Sequence, residues 1–155
     1  MPYLIDGNNV MAQIVGWRRD KSLARRRLIH DLVRFVAVNR VKVTVVFDGA
    51  ADANFPDGRV FKGVRILYAD PGSDADSRIK NIVNRSSHTR DLVVITSDRP
   101  LGSFVAHRGA TVKSSGKFRH MLEESFAAQT EAEKRGDTGA VDVDEWMSFF
   151  ETGTK

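Results

Sequence analysis

The sequence predicts an α/β domain of three layers, with helices on both faces of a mainly parallel sheet. Three observations carry that prediction. Short β-branched apolar runs alternate along the chain with segments of helical periodicity. The runs are nearly continuous rather than alternating with polar residues, as strands covered on both faces are. The length, 155 residues with 41% hydrophobic content, suits a single domain with a core of its own.

The elements follow in order. Tyr3–Ile5 is the first apolar run and predicts a strand. In LARRRLIHDLVRFVAVNR, Leu28, Leu32, Phe35 and Val36 form one stripe opposite Arg25, Arg26 and Arg27, which predicts a helix. Lys42–Phe47 (KVTVVF) is the second strand, and the stretch ADANFPDGRVFKG with its PDG turn reads as a loop. Val64–Tyr68 (VRILY) is the third strand, joined by the loop ADPGS to a helix, DADSRIKNIVNR, in which Ile79, Ile82 and Val83 follow an Asp-rich start. Leu92–Thr96 (LVVIT) is the fourth strand, followed by a short helix in RPLGSFVAHRG that ends at Gly109. Another helix starts near Ser114. EAEKRGDTGA then loses all hydrophobic pattern and reads as a linker. In DVDEWMSFFETG, Asp142 with Glu145 resembles a capping box, and Trp146, Phe149 and Phe150 make an apolar face. The expected organisation is a domain over residues 1–130 and an acidic linker with a short amphipathic helix over 131–155. That helix either docks on the body or serves as a tethered ligand whose acids shield the basic face.

Charge is distributed unevenly. Residues 1–120 hold 21 Lys and Arg against 11 Asp and Glu, whereas residues 121–155 hold 3 against 9. A basic body is the electrostatic footprint of a phosphate-backbone binder, although a solvated surface gives the same count. The absence of cysteine excludes disulfides, thiolate nucleophiles and sulfur-built zinc sites. With neither a signal-peptide pattern nor a long apolar run, the expectation is a soluble, cytoplasmic protein that does not engage membranes.

The acids fall at telling places. Asp6 follows the first strand, Asp48 the second and Asp98 the fourth, while Asp74 and Asp76 open the helix after the third. All are expected at the carboxyl edge of the sheet, where open α/β folds bind ligands. One Asp after a strand is usually a turn former or a helix cap: Asp74 reads as a cap, Asp48-Gly49 also as a turn, and Asp98 also as the cap of the next helix. Several carboxylates on one edge repel each other unless a cation lies among them, so the joint pattern favours a metal site. Carboxylate and water ligands suit Mg²⁺ or Mn²⁺, and the four scattered histidines offer no zinc site. Asn9 reads equally as a helix cap or as a hydrogen-bond partner for a carboxylate, water or phosphate.

These same residues carry a resemblance. YLIDGNNV, VTVVFDGA, GVRILYADPGSDADSRIK and LVVITSDRPL, in that order and followed by RGATVKSSGKF, resemble the YacP-like NYN domains, relatives of the PIN-domain nucleases. The match extends over roughly residues 3–125. It implies a PIN-like fold and a metal-dependent endoribonuclease, with relatives in one branch cleaving mRNA at the ribosome. Carried over by position, Asp6, Asp76 and Asp98 match the family's acidic site, Asn9 its Asn, and Asp48 its second-strand acid. Two positions depart: Lys80 stands where the family's helix has Glu, and Asn8 where it has Tyr.

On this reading Asp6 and Asp98 hold the metal with Asp76 and Asp48, Asn9 and Ser97 position substrate, and Arg18, Arg19, Lys21, Arg25, Arg26, Arg27, Arg78, Lys80 and Arg99 are candidates to contact the RNA backbone. Single-stranded RNA is the expected substrate because no groove-reading helix is present. Lys80 keeps open a second reading, a catalytically silent RNA- or ribosome-binding module. A covalent aspartyl phosphatase would want a second acid two residues after Asp6, where this chain has Asn8. Oligomeric state leaves no mark in the sequence.

Overall fold

A computed structural model describes residues 2–134 of the chain. The sheet has six strands: β1 Tyr3–Asp6, β2 Val43–Phe47, β3 Val60–Phe61, β4 Val64–Tyr68, β5 Val93–Ile95 and β6 Thr111–Lys113. The helices are α1 Gly7–Met11, α2 Lys21–Asn39, α3 Ala75–Arg85, α4 Arg99–His107 and α5 Ser115–Lys134, with a 3₁₀ turn at Thr89–Asp91. Strand order is β3-β4-β2-β1-β5-β6, all neighbours parallel except the β3–β4 hairpin.

The strands carry apolar residues on both faces because both are covered. Ile5, Val45, Ile66 and Ile95 pack with Leu28, Leu32, Phe35 and Phe118, on the side of α1, α2 and α5. Leu4, Val46, Leu67 and Val94 pack with Ile79, Val83, Leu101 and Val105 of α3 and α4 on the other. Tyr3, Phe35 and Phe118 pack their rings together, with Tyr3–Phe35 and Phe35–Phe118 edge to face at 5.2 Å between centroids.

The chain lays β2 and β4 on one side of β1, then returns to lay β5 and β6 on the other. The point of reversal lies at β1 and β5, and their carboxyl ends open a crevice there. Four apolar runs and four helical segments thus stand where the sequence predicts them. Three local features differ. The stretch expected to be loop contains β3, folded onto β4 through a two-residue turn, Lys62-Gly63, with φ of 47° and 89°. Positive φ at both positions is the signature of a type I′ hairpin turn, whose twist matches the strands. The turn after β1 is itself a short helix, α1. Finally, α5 runs through Lys134, past the expected start of a linker at 131. The amphipathic segment beginning at Asp142 lies outside the described residues.

Candidate active site

The sequence Asp6-Gly7-Asn8-Asn9 takes the chain from β1 straight into α1. A Cβ on Gly7 would stand 2.5 Å from the Phe47 ring and 2.8 Å from the Val46 carbonyl oxygen, so only glycine lets α1 start this close to β2. The two amides then tie the neighbouring strand ends to β1. Asn8 Oδ1 accepts from the Asp48 N–H at 3.0 Å, beyond β2. Asn9 Oδ1 accepts from the Ser97 N–H at 2.8 Å, beyond β5, and from the Ser115 hydroxyl at the start of α5. Ser97 Oγ in turn accepts from the Ser115 N–H at 2.9 Å. Neither amide caps a helix; together they clamp three strand ends at fixed spacing.

Into the crevice so defined point the acids. Asp6, Asn8, Asn9, Asp48, Asp74, Asp76 and Asp98, with Ala12 and Ala75, line one open cleft of about 380 Å³. Asp6 is the deepest, only 9% exposed, and its Oδ2 accepts from the Thr96 hydroxyl at 3.0 Å. Burial pushes its pKa up to about 6; the Thr96 hydrogen bond opposes this, Asp48 raises it further, the Asn9 backbone N–H lowers it, and Asp98 raises it. The remaining acids have additional duties. Asp48 Oδ1 accepts from the Ala75 N–H at 2.6 Å at the start of α3, Asp74 Oδ1 from the Ser77 N–H at 2.8 Å, and Asp98 Oδ1 from the Leu101 N–H at 2.9 Å at the start of α4. Those bonds satisfy otherwise orphaned helix N–H groups. Asp76 Oδ2 lies 3.0 Å from Lys80 Nζ, one turn along α3.

Chemically the donors suit a hard divalent cation: carboxylate and amide oxygens, with no sulfur or imidazole among the lining residues. The two carboxylates that raise the Asp6 pKa mark a concentration of negative charge that a cation would relieve. As the side chains stand, no three His, Asp or Glu groups among the described residues form a ready cation cage. The commitments of Asp48 and Asp98 to helix N-termini and of Asp76 to Lys80 occupy part of each carboxylate.

The other sequence candidates are dispersed. Ser97 and Arg99 line an adjoining cleft with Thr96, Asp98 and Ser114. Arg78 donates to the Tyr68 carbonyl at 2.6 Å and to Asp57 at 3.2 Å, in the lining of a separate space between the loops after β2 and β4. Arg18 and Arg19 are exposed in the turns after α1, with Arg18 over the Trp17 ring at 5.5 Å. Two contributors went unnoticed in the sequence, Thr96 and Ser115, and a third, Arg25, expected to contact the RNA backbone, is turned to a different task. Arg25 donates to the carbonyls of Asp48 at 3.0 Å and Ala50 at 3.2 Å while lying over the rings of Phe47 and Tyr68. Thr96 could have been found as the first polar residue of ITSD; Ser115 leaves no local signal.

Fold and cleft define a class: parallel α/β domains of PIN-like architecture, with acids gathered where the strand order reverses. Within that class the chain belongs to the YacP-like NYN domain family, whose profile matches residues 3–146. The fold is shared with crystal structures of Rae1 (YacP) from Bacillus subtilis. A point mutant of that protein superimposes with a TM-score of 0.70 at 20% identity, covering 94% of this chain and 89% of that one. A second Rae1 structure gives 0.70 at 21% identity, covering 87% and 80%. No curated protein matches. The family carries a PIN-like nuclease fold, which groups the chain with RNA nucleases at family level, a class that generally uses divalent metals. No helix among the described residues is long and apolar enough to cross a membrane.

Proposed function

We propose that this chain is an endoribonuclease that hydrolyses phosphodiester bonds of single-stranded RNA with the help of Mg²⁺ or Mn²⁺. The observation that carries the reading is the convergence of Asp6, Asp48, Asp76 and Asp98, from four segments of the chain, on one cleft whose deepest acid is buried. Asp6 and Asp98, with Asp48 and Asp76, are the residues to hold the cation. When bound, such an ion supplies an activated water and charge neutralisation at the phosphate. The chain's own part is positional. Thr96 and the Asn9 backbone hold the Asp6 carboxylate, while Asn8 and Arg25 fix Asp48 through the backbone around it. Asn9, with its Oδ1 engaged by Ser97 and Ser115, keeps its side-chain N–H₂ as a donor for a phosphate oxygen. Ser97 and Arg99 border the next cleft along, a path for the strand leaving the site.

A second reading is favoured by one observation. The Lys80 ammonium already neutralises Asp76, which suits a module that binds RNA without cutting it. A labelled single-stranded RNA incubated with Mn²⁺ separates the two. Cleavage by wild type, lost in Asp6→Asn, supports the nuclease; retained RNA binding with no cleavage supports the silent module. Equal cleavage by both proteins removes the site assignment.

A further inference from the structure

Beside the acid cleft lies a trough of about 580 Å³, roomier than the cleft itself. The loop after β2 forms one wall and the loop after β4 the other. Two peptide links separate the two spaces: Asp48 faces the cleft while Gly49 faces the trough, and Asp74 faces the cleft while Ser73 faces the trough. A strand with its phosphate at Asp6 therefore has its neighbouring nucleotide within reach of the trough.

Its chemistry excludes phosphate and suits a base. Gly49, Ala50, Ala51 and Pro71 give small, mostly apolar walls. The single cation of the lining, Arg78, is consumed: its guanidinium donates to the Tyr68 carbonyl and to both oxygens of Asp57. Asp57 is engaged as well, since its Oδ1 also accepts from the Tyr68 N–H at 2.9 Å. Asp70 remains. Its side chain is 69% exposed, its nearest cation is Arg78 at 3.8 Å, and the turn that carries it is closed by the Ser73 N–H donating to its carbonyl at 2.9 Å. Two acids against one arginine repel a phosphate, whereas an exposed carboxylate on a closed turn accepts N–H groups from a base edge. Guanine alone among the RNA bases offers two adjacent donors, N1–H and the 2-amino group, matching the two oxygens of one carboxylate.

We propose that this trough is a base subsite that takes a guanine flanking the cleaved phosphate and reads it through Asp70. The proposal rests on the nuclease reading. Because sequence-specific RNA recognition works on unstacked single-stranded bases, a trough open to solvent beside the cleft is the form such a subsite takes.

The test is a set of labelled uridine heptamers with guanosine, inosine, adenosine or cytidine at each position in turn. Affinity is read by fluorescence anisotropy with Ca²⁺ and with EDTA, and cut sites are mapped with Mn²⁺. Guanosine at one fixed distance from the cut should tighten binding about tenfold, with inosine, which lacks the 2-amino group, losing most of the gain. Asp70→Asn should abolish the preference and leave cleavage of the uridine heptamer intact. Ala51→Leu, an exposed change that fills the trough, should do the same, with circular dichroism confirming the fold. Cleavage without any base preference, or a guanosine preference that survives in Asp70→Asn, overturns the subsite and leaves the nuclease reading standing. Failure to bind or cut any heptamer overturns both.

Discussion

Removing the Asp6 charge should make the protein more stable, and the structure says by how much. In the native state its carboxyl is pushed up to about 6 from its ordinary 3.8, chiefly because it is buried. The sign follows from proton binding. Between those values the native state holds a proton that the unfolded chain has released, so stability falls as pH rises through the window and is flat above it. Two pKa units correspond to about 3 kcal/mol. Asp6→Asn keeps an acceptor for the Thr96 hydroxyl but has no charge to desolvate. Urea unfolding in EDTA should therefore show the variant gaining on wild type as pH rises from about 4 to 8, by about 2–3 kcal/mol. Adding Mg²⁺ at pH 8 should restore wild type alone, by about 2.7 kcal/mol at a hundredfold excess over its Kd. A stability difference that does not change with pH would refute the claim that a buried, ionised Asp6 is held in the cleft at the expense of stability.

Three further outcomes are expected. Gly7→Ala should lower stability by about 1–3 kcal/mol in thermal or urea unfolding, because the new methyl has no room between Phe47 and the Val46 carbonyl. Arg25→Ala should cost about 2–3 kcal/mol and weaken Mn²⁺ binding in calorimetry, since two carbonyl contacts and two ring contacts behind Asp48 disappear together. Lys80→Gln should leave stability nearly unchanged, the pair being a partly exposed one within a single helix, while raising Mn²⁺ affinity roughly fivefold as Asp76 is released. Unchanged Mn²⁺ affinity would show that Asp76 takes no part in holding the ion.

The strands and the acids were legible in the sequence for one reason: both are local. A run such as VTVVF states its own burial, and an acid closing it states its own position at the carboxyl edge. The hairpin was lost because β3 is two residues long, too short for periodicity, and its only signal was the Lys62-Gly63 turn. The clamp was lost because it is not local at all. Asn9 meets partners 88 and 106 residues away, and nothing within DGNN names Ser97 or Ser115. Arg25, expected on a basic face that meets the RNA backbone or solvent, is turned inward by its own helix over Phe47 and Tyr68.

The same residues explain how acids can be gathered without tearing the crevice open. Asp48, Asp74 and Asp98 each face a helix N-terminus, where backbone N–H groups and the helix dipole stabilise a negative charge. Asp76 is balanced by Lys80. Asp6 alone faces no cation and no long helix start, and burial raises its pKa to about 6. The fold therefore neutralises the rim of the cleft and leaves the uncompensated charge at its floor. A cation entering the site gains most at Asp6, and the acids around it can reorient toward the ion at the cost of one hydrogen bond each. That asymmetry is why Asp6, rather than the more exposed acids, is the residue on which the nuclease reading turns.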